Sequence, residues 1–252
     1  ASVSFERDVA GFPVRLPAVD IETVGAGGGS IAWFDRDGLA KVGPISAGAA
    51  PGPACYGQGG TEPTVTDANL VLGRLSEGGL LGGDMALNKD LARAAITPVA
   101  DRLGFSIEKT AQGLLDIMVA NMVRTIRTVS VERGYDPRQF ALMPFGGAGP
   151  LHARDVAQSL GITEIIIPPN PGIVCAEGLV VSDLKEDFVA SQRVALDEDK
   201  ALAALDAPLA GLTRRALDWF ESERLPAAHC SLELSVDARY VGQNFELPVP
   251  LT

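Results

Sequence analysis

FALMPFGGAGPLHARDVAQSLGITEIIIP, residues 140–168, decides how this chain is read. An apolar run, 140–145, leads into the glycine turn 146–150. A helical pattern over 151–160 follows, closed by Gly161, and a second apolar run covers 163–168. Short runs that are apolar throughout are the signature of strands covered on both faces, so two buried parallel strands joined by a right-handed helical crossover are expected. Ligands of such sheets sit beyond the carboxyl ends of the strands, where Gly146, Gly147, Ala148 and Gly149 fall. A strand, a glycine loop and a helix in that order bring bare N–H groups up to a nucleotide at the positive end of the helix dipole. From the residues alone two roles stay open for this loop, ligand contact and tight strand-to-helix packing. It is not a P-loop, since no Gly-x-x-x-x-Gly-Lys-Ser/Thr spacing occurs. Nor is it the dinucleotide fingerprint, since the third glycine after Gly147 and Gly149 would have to stand where His152 does.

Upstream of this unit the spacing predicts two helices, one over 90–104 and a longer one capped by Ser106. In the second, Ile107, Ala111, Leu114, Leu115, Met118, Val119, Met122, Ile126 and Val129 form one apolar stripe. Gly134 and Pro137 end it. Further upstream, 17 of the 28 glycines fall in the first 83 residues, so that third reads as short strands and functional loops. IETV, 21–24, reads as a strand leading into GAGGGS, and SIAWF and LAKV as a hairpin around Asp35, Arg36, Asp37 and Gly38. In GAGGGS, Gly27, Gly28, Gly29 and Ser30 are either an anion-binding nest or a flexible connection. Residues 43–66, with Pro44, Pro51, Pro53 and Pro63, have no period of either kind and read as a functional loop. Asp67 and Asn69 follow it; they face substrate or Mg2+, or Asp67 is the N-cap of a helix over ANLVLGRL. His152, in the first turn of its helix, is held neutral by the dipole and either donates to a ligand or is a packed or solvent-facing residue. Downstream, 170–183 reads as a loop and short helix, 197–224 as a helix, and 231–240 and 244–250 as two strands. A domain boundary is expected near Ser191, giving domains 1–190 and 191–252.

At 252 residues, 46% hydrophobic and 21% charged, the chain has the composition of a folded domain with a sizeable core. Gly and Pro stay below the roughly 25–30% at which disorder is the default. A net charge of −11 with no basic stripe argues against nucleic acid or an anionic membrane as partner. No apolar run approaches the ~18 residues of a membrane span, and a cytoplasmic location is expected. Cys55, Cys175 and Cys230 form no CxxC pair, which suggests neither a disulfide framework nor a zinc site. Cys55 has no histidine near it in sequence to make it a nucleophile.

VGAGGGSIAWFD (24–35), VGPISAGAAPGPACYGQGGTEPTVTDANLVLGRL (42–75), ERGYDPRQFALMPFGGAGPLHA (132–153), PGIVCAEGL (171–179) and DARYVGQNFEL (237–247) together resemble the ATP-dependent hydantoinase and 5-oxoprolinase family. Subunits of acetone and acetophenone carboxylases are its relatives. The resemblance runs from about residue 14 to 247. It implies an α/β, actin-like and hexokinase-like ATPase lobe, incomplete here, followed by a small α+β region. It also implies Mg-ATP, transfer of phosphate to a cyclic amide or ketone enol oxygen, and then hydrolysis or carboxylation with a partner subunit or domain, hydantoinase B-like in the hydrolase case. In such folds a glycine pair between strand and helix accepts the adenosine, and Gly146 and Gly147 match that position. The resemblance likewise favours a ligand role for Gly27 to Ser30.

The sequence departs from that pattern in one respect. The fold's two Asp-x-Gly-Gly-Thr phosphate loops are absent, and Gly59-Gly60-Thr61 has Gly57 where the aspartate belongs. The expectation is therefore a fragment, silent by itself, of a cyclic amide hydrolase. The alternatives are a carboxylase subunit or a non-catalytic nucleotide-binding module. An incomplete lobe is also expected to expose apolar surface and to associate with another chain or a second copy.

Overall fold

The computed structural model describes residues 21–195 and 203–251, together with strand residues 3–4, 7–9, 12–14 and 18–19. The chain divides into two compact units at Val181/Ser182, ahead of the Ser191 break expected from sequence.

The first unit begins with two short antiparallel ladders: β1 (Val3–Ser4) pairs with β4 (Ala18–Val19), and β2 (Arg7–Val9) with β3 (Phe12–Val14). Residues 21–24 are irregular, not the strand expected of IETV; Ile21 and Val24 are exposed, so no core holds the run extended. The hairpin does form. β5 (Ser30–Phe34) pairs antiparallel with β6 (Ala40–Ser46), in the register Ala32↔Val42 and Phe34↔Ala40. The Asp35 carboxylate accepts N–H bonds from Asp37 (3.1 Å) and Leu39 (2.9 Å), and Gly38 takes φ +81° to close the turn.

Three helices pack on this hairpin: α1 (Val65–Val71), α2 (Lys89–Leu103) and α3 (Ile107–Val129). Asn88 and Ser106 cap the latter two by accepting from Leu91 N and Lys109 N, and Gly104 ends α2 in the left-handed region. The α3 stripe serves two cores. Ala111, Leu114, Leu115 and Met118 pack with Val65, Leu70 and Ile96 of the other helices and with Ala32 and Val42 of the hairpin. Val119 and Val123, farther along α3, pack instead on Val156, Ala157 and Leu160 of α4 (Gly149–Leu160). α3 stops at Val129, and Gly134 (φ +83°) closes the short 3₁₀ turn Val131–Arg133 beyond it.

The two runs around α4 lie parallel, as expected, but they are neither long strands nor buried. A single parallel bridge, Leu142↔Ile165, joins them, made by Leu142 N to Glu164 O and Ile166 N to Leu142 O, both 2.9 Å. Leu142 packs against the α3–α4 core, whereas Phe140, Met143, Phe145, Ile165, Ile166 and Ile167 are exposed. The reason is physical: a strand apolar on both faces is buried only between neighbouring strands and two covering layers, and among the described residues each run has one neighbour and one layer. α5 (Val174–Val181) follows and buries none of its residues.

The second unit is built from α6 (Ala203–Ser222) and the antiparallel pair β7 (Leu234–Ala238) and β8 (Leu247–Leu251). The start of the expected helix, residues 197–202, lies outside the described residues. Within this unit Phe188 packs edge-on to Trp219 (6.5 Å between ring centres), and Arg215 lies over Phe188.

Candidate functional site

The two glycine loops singled out in the sequence meet. A Cβ placed on Gly28 would lie 2.8 Å from Thr66 Oγ1 and 3.4 Å from Ala148 Cβ, so the GAGGGS loop threads between the start of α1 and the turn before α4. Thr66 fastens it there, donating its N–H and its hydroxyl to Gly28 O, both at 2.9 Å. Ser30 shapes the loop from within: its hydroxyl accepts from Gly27 N (2.9 Å), and its own N–H donates to Gly27 O (3.1 Å). Only glycine fits at Gly28, because the Thr66 hydroxyl that a methyl group would strike is already pinned. Gly28→Ala is accordingly expected to destabilise the protein by about 1–2 kcal/mol through overpacking and the lost hydroxyl bond, read by urea denaturation; an unchanged midpoint would contradict the contact.

At the second loop Gly146 has φ +86°, a conformation that side chains with a Cβ rarely adopt, and its N–H donates to Pro171 O at 2.7 Å. The next three N–H groups, of Gly147, Ala148 and Gly149, donate to no described residue. Nothing lies within 4 Å of a Cβ placed on Gly146, Gly147 or Gly149, and Gly147 is exposed. The turn is therefore open, with unpaired donors at the N-terminus of a 12-residue helix. That is the chemistry of an anion or nucleotide seat.

Beneath the loops lies a buried polar layer holding the three substrate-facing candidates. Asp67, Asn69 and His152 are 0–1% exposed, and none of them reaches solvent in this structure. Asp67 is not the N-cap of α1. Thr64 is, and Asp67 stands at its third helical position in a reciprocal capping box. The Asp67 carboxylate accepts from Thr64 Oγ1 (2.7 Å), Thr64 N (2.9 Å), Cys55 N (2.8 Å) and Ala54 N (3.3 Å). It thus ties the Pro-rich loop to α1, with both of its oxygens engaged. Cys55 is buried beside it, and burial together with the Asp67 charge pushes its thiol far above the usual range, which is opposite to an activated nucleophile.

Asn69 Nδ2 donates to Val65 O (3.0 Å) and lies 3.4 Å from His152 Nε2, joining α1 to α4. Burial first, and then the Arg74 charge, hold the His152 pKa down to about 4, with Asp155 opposing. The ring is neutral, as expected, but desolvation is the main cause. Arg74, just past α1, makes the second link to α4, an ion pair with Asp155 at 2.8 Å. Sequence reading missed Thr64, Thr66 and this ion pair; the Thr64-x-x-Asp67 spacing was the signal for the first of them. Among the described residues no group of three or more His, Cys, Asp or Glu is placed to hold a metal ion, and no helix is long and apolar enough to cross a membrane.

A family model described as Hydantoinase/oxoprolinase matches residues 1–188. The chain belongs to the hydantoinase/oxoprolinase family. It is 42% identical to the caprolactamase subunit alpha of Pseudomonas jessenii over 256 residues, which cover 99% of this chain and 36% of that protein. An uncharacterized protein of Methanocaldococcus jannaschii is 43% identical over 245 residues, or 96% of this chain and 35% of its own length. Among solved structures, nucleotide-free acetone carboxylase matches with a TM-score of 0.86 at 28% identity, over 99% of this chain and 36% of that one. The crystal structure of the P. jessenii ATP-dependent caprolactamase matches with a TM-score of 0.67 at 41% identity, over 99% and 37%. The fold is thus a mixed α and β one shared with these enzymes, and the chain spans about a third of the length of each of these relatives.

Proposed function

We propose that this chain carries the nucleotide seat of an ATP-dependent enzyme that opens a cyclic amide, within an actin-like ATPase lobe. One observation carries the reading: Gly147, Ala148 and Gly149 present unpaired N–H groups in an open turn at the start of α4, and Gly28 brings the GAGGGS loop against that turn. These residues fit a nucleotide, since Gly146, Gly147 and Gly149 leave free the space where side chains would stand. Gly146 and Gly147 would seat the adenosine end, and in the loop from Gly27 to Ser30 the N–H groups of Gly28 and Gly29 would offer the second set of donors, on the frame made by the bonds between Gly27 and Ser30. Bound ATP would supply a phosphoryl group that turns a poorly electrophilic amide carbonyl into one with a good leaving group. Around it, the chain's own part is positional: the Thr66 bonds to Gly28 O and the Gly146 N bond to Pro171 O hold both loops still. Among the described residues no group of three or more His, Cys, Asp or Glu is placed to hold Mg2+, and the candidate Asp67 has both oxygens engaged in hydrogen bonds. No step is therefore assigned to Mg2+ on this chain.

A small lactam, hydantoin or 5-oxoproline is the preferred substrate class, because one relative at 41–42% identity is a caprolactamase. The TM-score of 0.86 to acetone carboxylase supports a second reading, a carboxylase subunit acting on a ketone. A hydantoinase B-like partner chain is proposed for the hydrolase. Assaying the whole protein for ATP consumption tests both. Stimulation by lactams or hydantoins, with ring-opened product, is expected, and consumption only with a ketone and bicarbonate would reject the hydrolase. Gly147→Val should raise the KM for ATP at least tenfold, since its branched side chain occupies the open turn.

A further inference from the structure

The interface of α1 with α4 is polar where the two glycine loops depend on it. α1 carries the Thr66 anchor of Gly28, and α4 begins at the Gly146–Gly149 turn. Between the two helices stand one side-chain hydrogen bond, Asn69 to His152, and just past α1 one ion pair, Arg74 to Asp155. Asn69 and His152 are 1% and 0% exposed, in a place where an apolar pair would pack at lower cost. They are also incompletely satisfied: Asn69 Oδ1 and His152 Nδ1 are buried without a hydrogen-bond partner among the described residues. A half-satisfied buried pair is an expensive feature for a merely structural contact.

The geometry assigns the ring's tautomer. Asn69 Nδ2 already donates to Val65 O, so the neighbouring His152 Nε2 must accept, and the proton sits on Nδ1. A proton added at Nε2 would set donor against donor across the α1–α4 interface. Turning the Asn69 amide round to meet it would instead set Oδ1 against Val65 O.

From this juxtaposition we propose that Asn69 and His152 are positioning residues. Their bond, made only by the Nδ1–H ring, fixes the Gly146–Gly149 turn relative to Gly28 and so holds the two halves of the nucleotide seat in register. The proposal rests on the nucleotide reading above. Arg74 and Asp155 are the charged groups acting on the ring among the described residues, and both sit on the same interface, one from each side.

ATP affinity of the whole protein, measured by calorimetry beside wild-type and Gly147→Val controls, is the test. His152→Leu should weaken ATP binding about tenfold. His152→Gln, whose amide oxygen accepts from Asn69 Nδ2, should recover to within about threefold of wild type. Wild-type affinity in His152→Leu, or equal losses in the Gln and Leu variants, would overturn the proposal. Asn69→Ala removes the donor from the other side without burying a charge, and guards against misfolding of the leucine variant. It should weaken ATP binding about as much as His152→Leu. Wild-type affinity in Asn69→Ala would overturn the proposal too. If Gly147→Val also binds ATP normally, the nucleotide seat itself is wrong. If Gly147→Val loses binding while the His152 and Asn69 variants keep it, only the positioning role is.

Discussion

Asp67→Ala is expected to cost on the order of 4 kcal/mol of stability, well above the ~1 kcal/mol of an ordinary substitution. Removing the carboxylate leaves the N–H groups of Ala54, Cys55 and Thr64 and the Thr64 hydroxyl without their acceptor, in a place where neither Thr64 nor Cys55 is reached by solvent. Each buried orphan costs about 1–3 kcal/mol, less what relaxation and entering water recover. The loss also opens the loop 47–63, because Asp67 is what its turn at Ala54 and Cys55 holds on to. Two measurements follow from one variant. The denaturation midpoint in urea should fall steeply, and Cys55 should become reactive towards a thiol reagent, since both burial and the neighbouring charge that suppress its thiolate are relieved. A loss below about 1 kcal/mol with Cys55 still inert would show that the network is dispensable.

The second large effect is a pH dependence of stability set by His152. Its pKa is about 4 in the folded protein against an ordinary 6.5. The unfolded chain therefore binds a proton in a range where the folded chain does not. By linkage, the contribution of the neutral ring is complete above about pH 6.5. It is lost as pH falls towards 4, at about 1.4 kcal/mol per pH unit and on the order of 3 kcal/mol in total. Carboxylates also titrate at the lower end, so the informative quantity is the difference from a variant that cannot take the proton. Between pH 7 and 4.5 the wild type should lose about 2 kcal/mol more than His152→Gln. Equal losses would mean that the ring is protonated without penalty, and hence not sealed between α1 and α4.

How much of this was legible beforehand depended on whether the signal was local. α2, α3 and α4 were readable because local signals suffice: a terminal glycine for α2 and α4, at Gly104 and Gly161, and the N-cap Ser106 with an unbroken apolar stripe for α3. The hairpin was readable from Asp35 and Gly38 for the same reason. The runs 140–145 and 163–168 were misjudged as buried, because an apolar strand says only that it must be covered, and among the described residues Ile165, Ile166 and Ile167 have little to cover them. At the site, the glycine turns were visible as spacing, but their meeting through Gly28 and Ala148 is a long-range contact that no local pattern records. The role of Asp67 was missed for a different reason. Its partners Ala54 and Cys55 are backbone groups in an aperiodic loop, and a backbone N–H has no side-chain identity to read.

The N–H groups of the two glycine loops are the centre of the account, and amide hydrogen exchange of the whole protein with and without ATP measures them most directly. Slowed exchange on ATP addition is predicted in the segments containing Gly147, Ala148 and Gly149 and containing Gly27, Gly28 and Gly29. ATP binding that leaves both segments exchanging as before would contradict it.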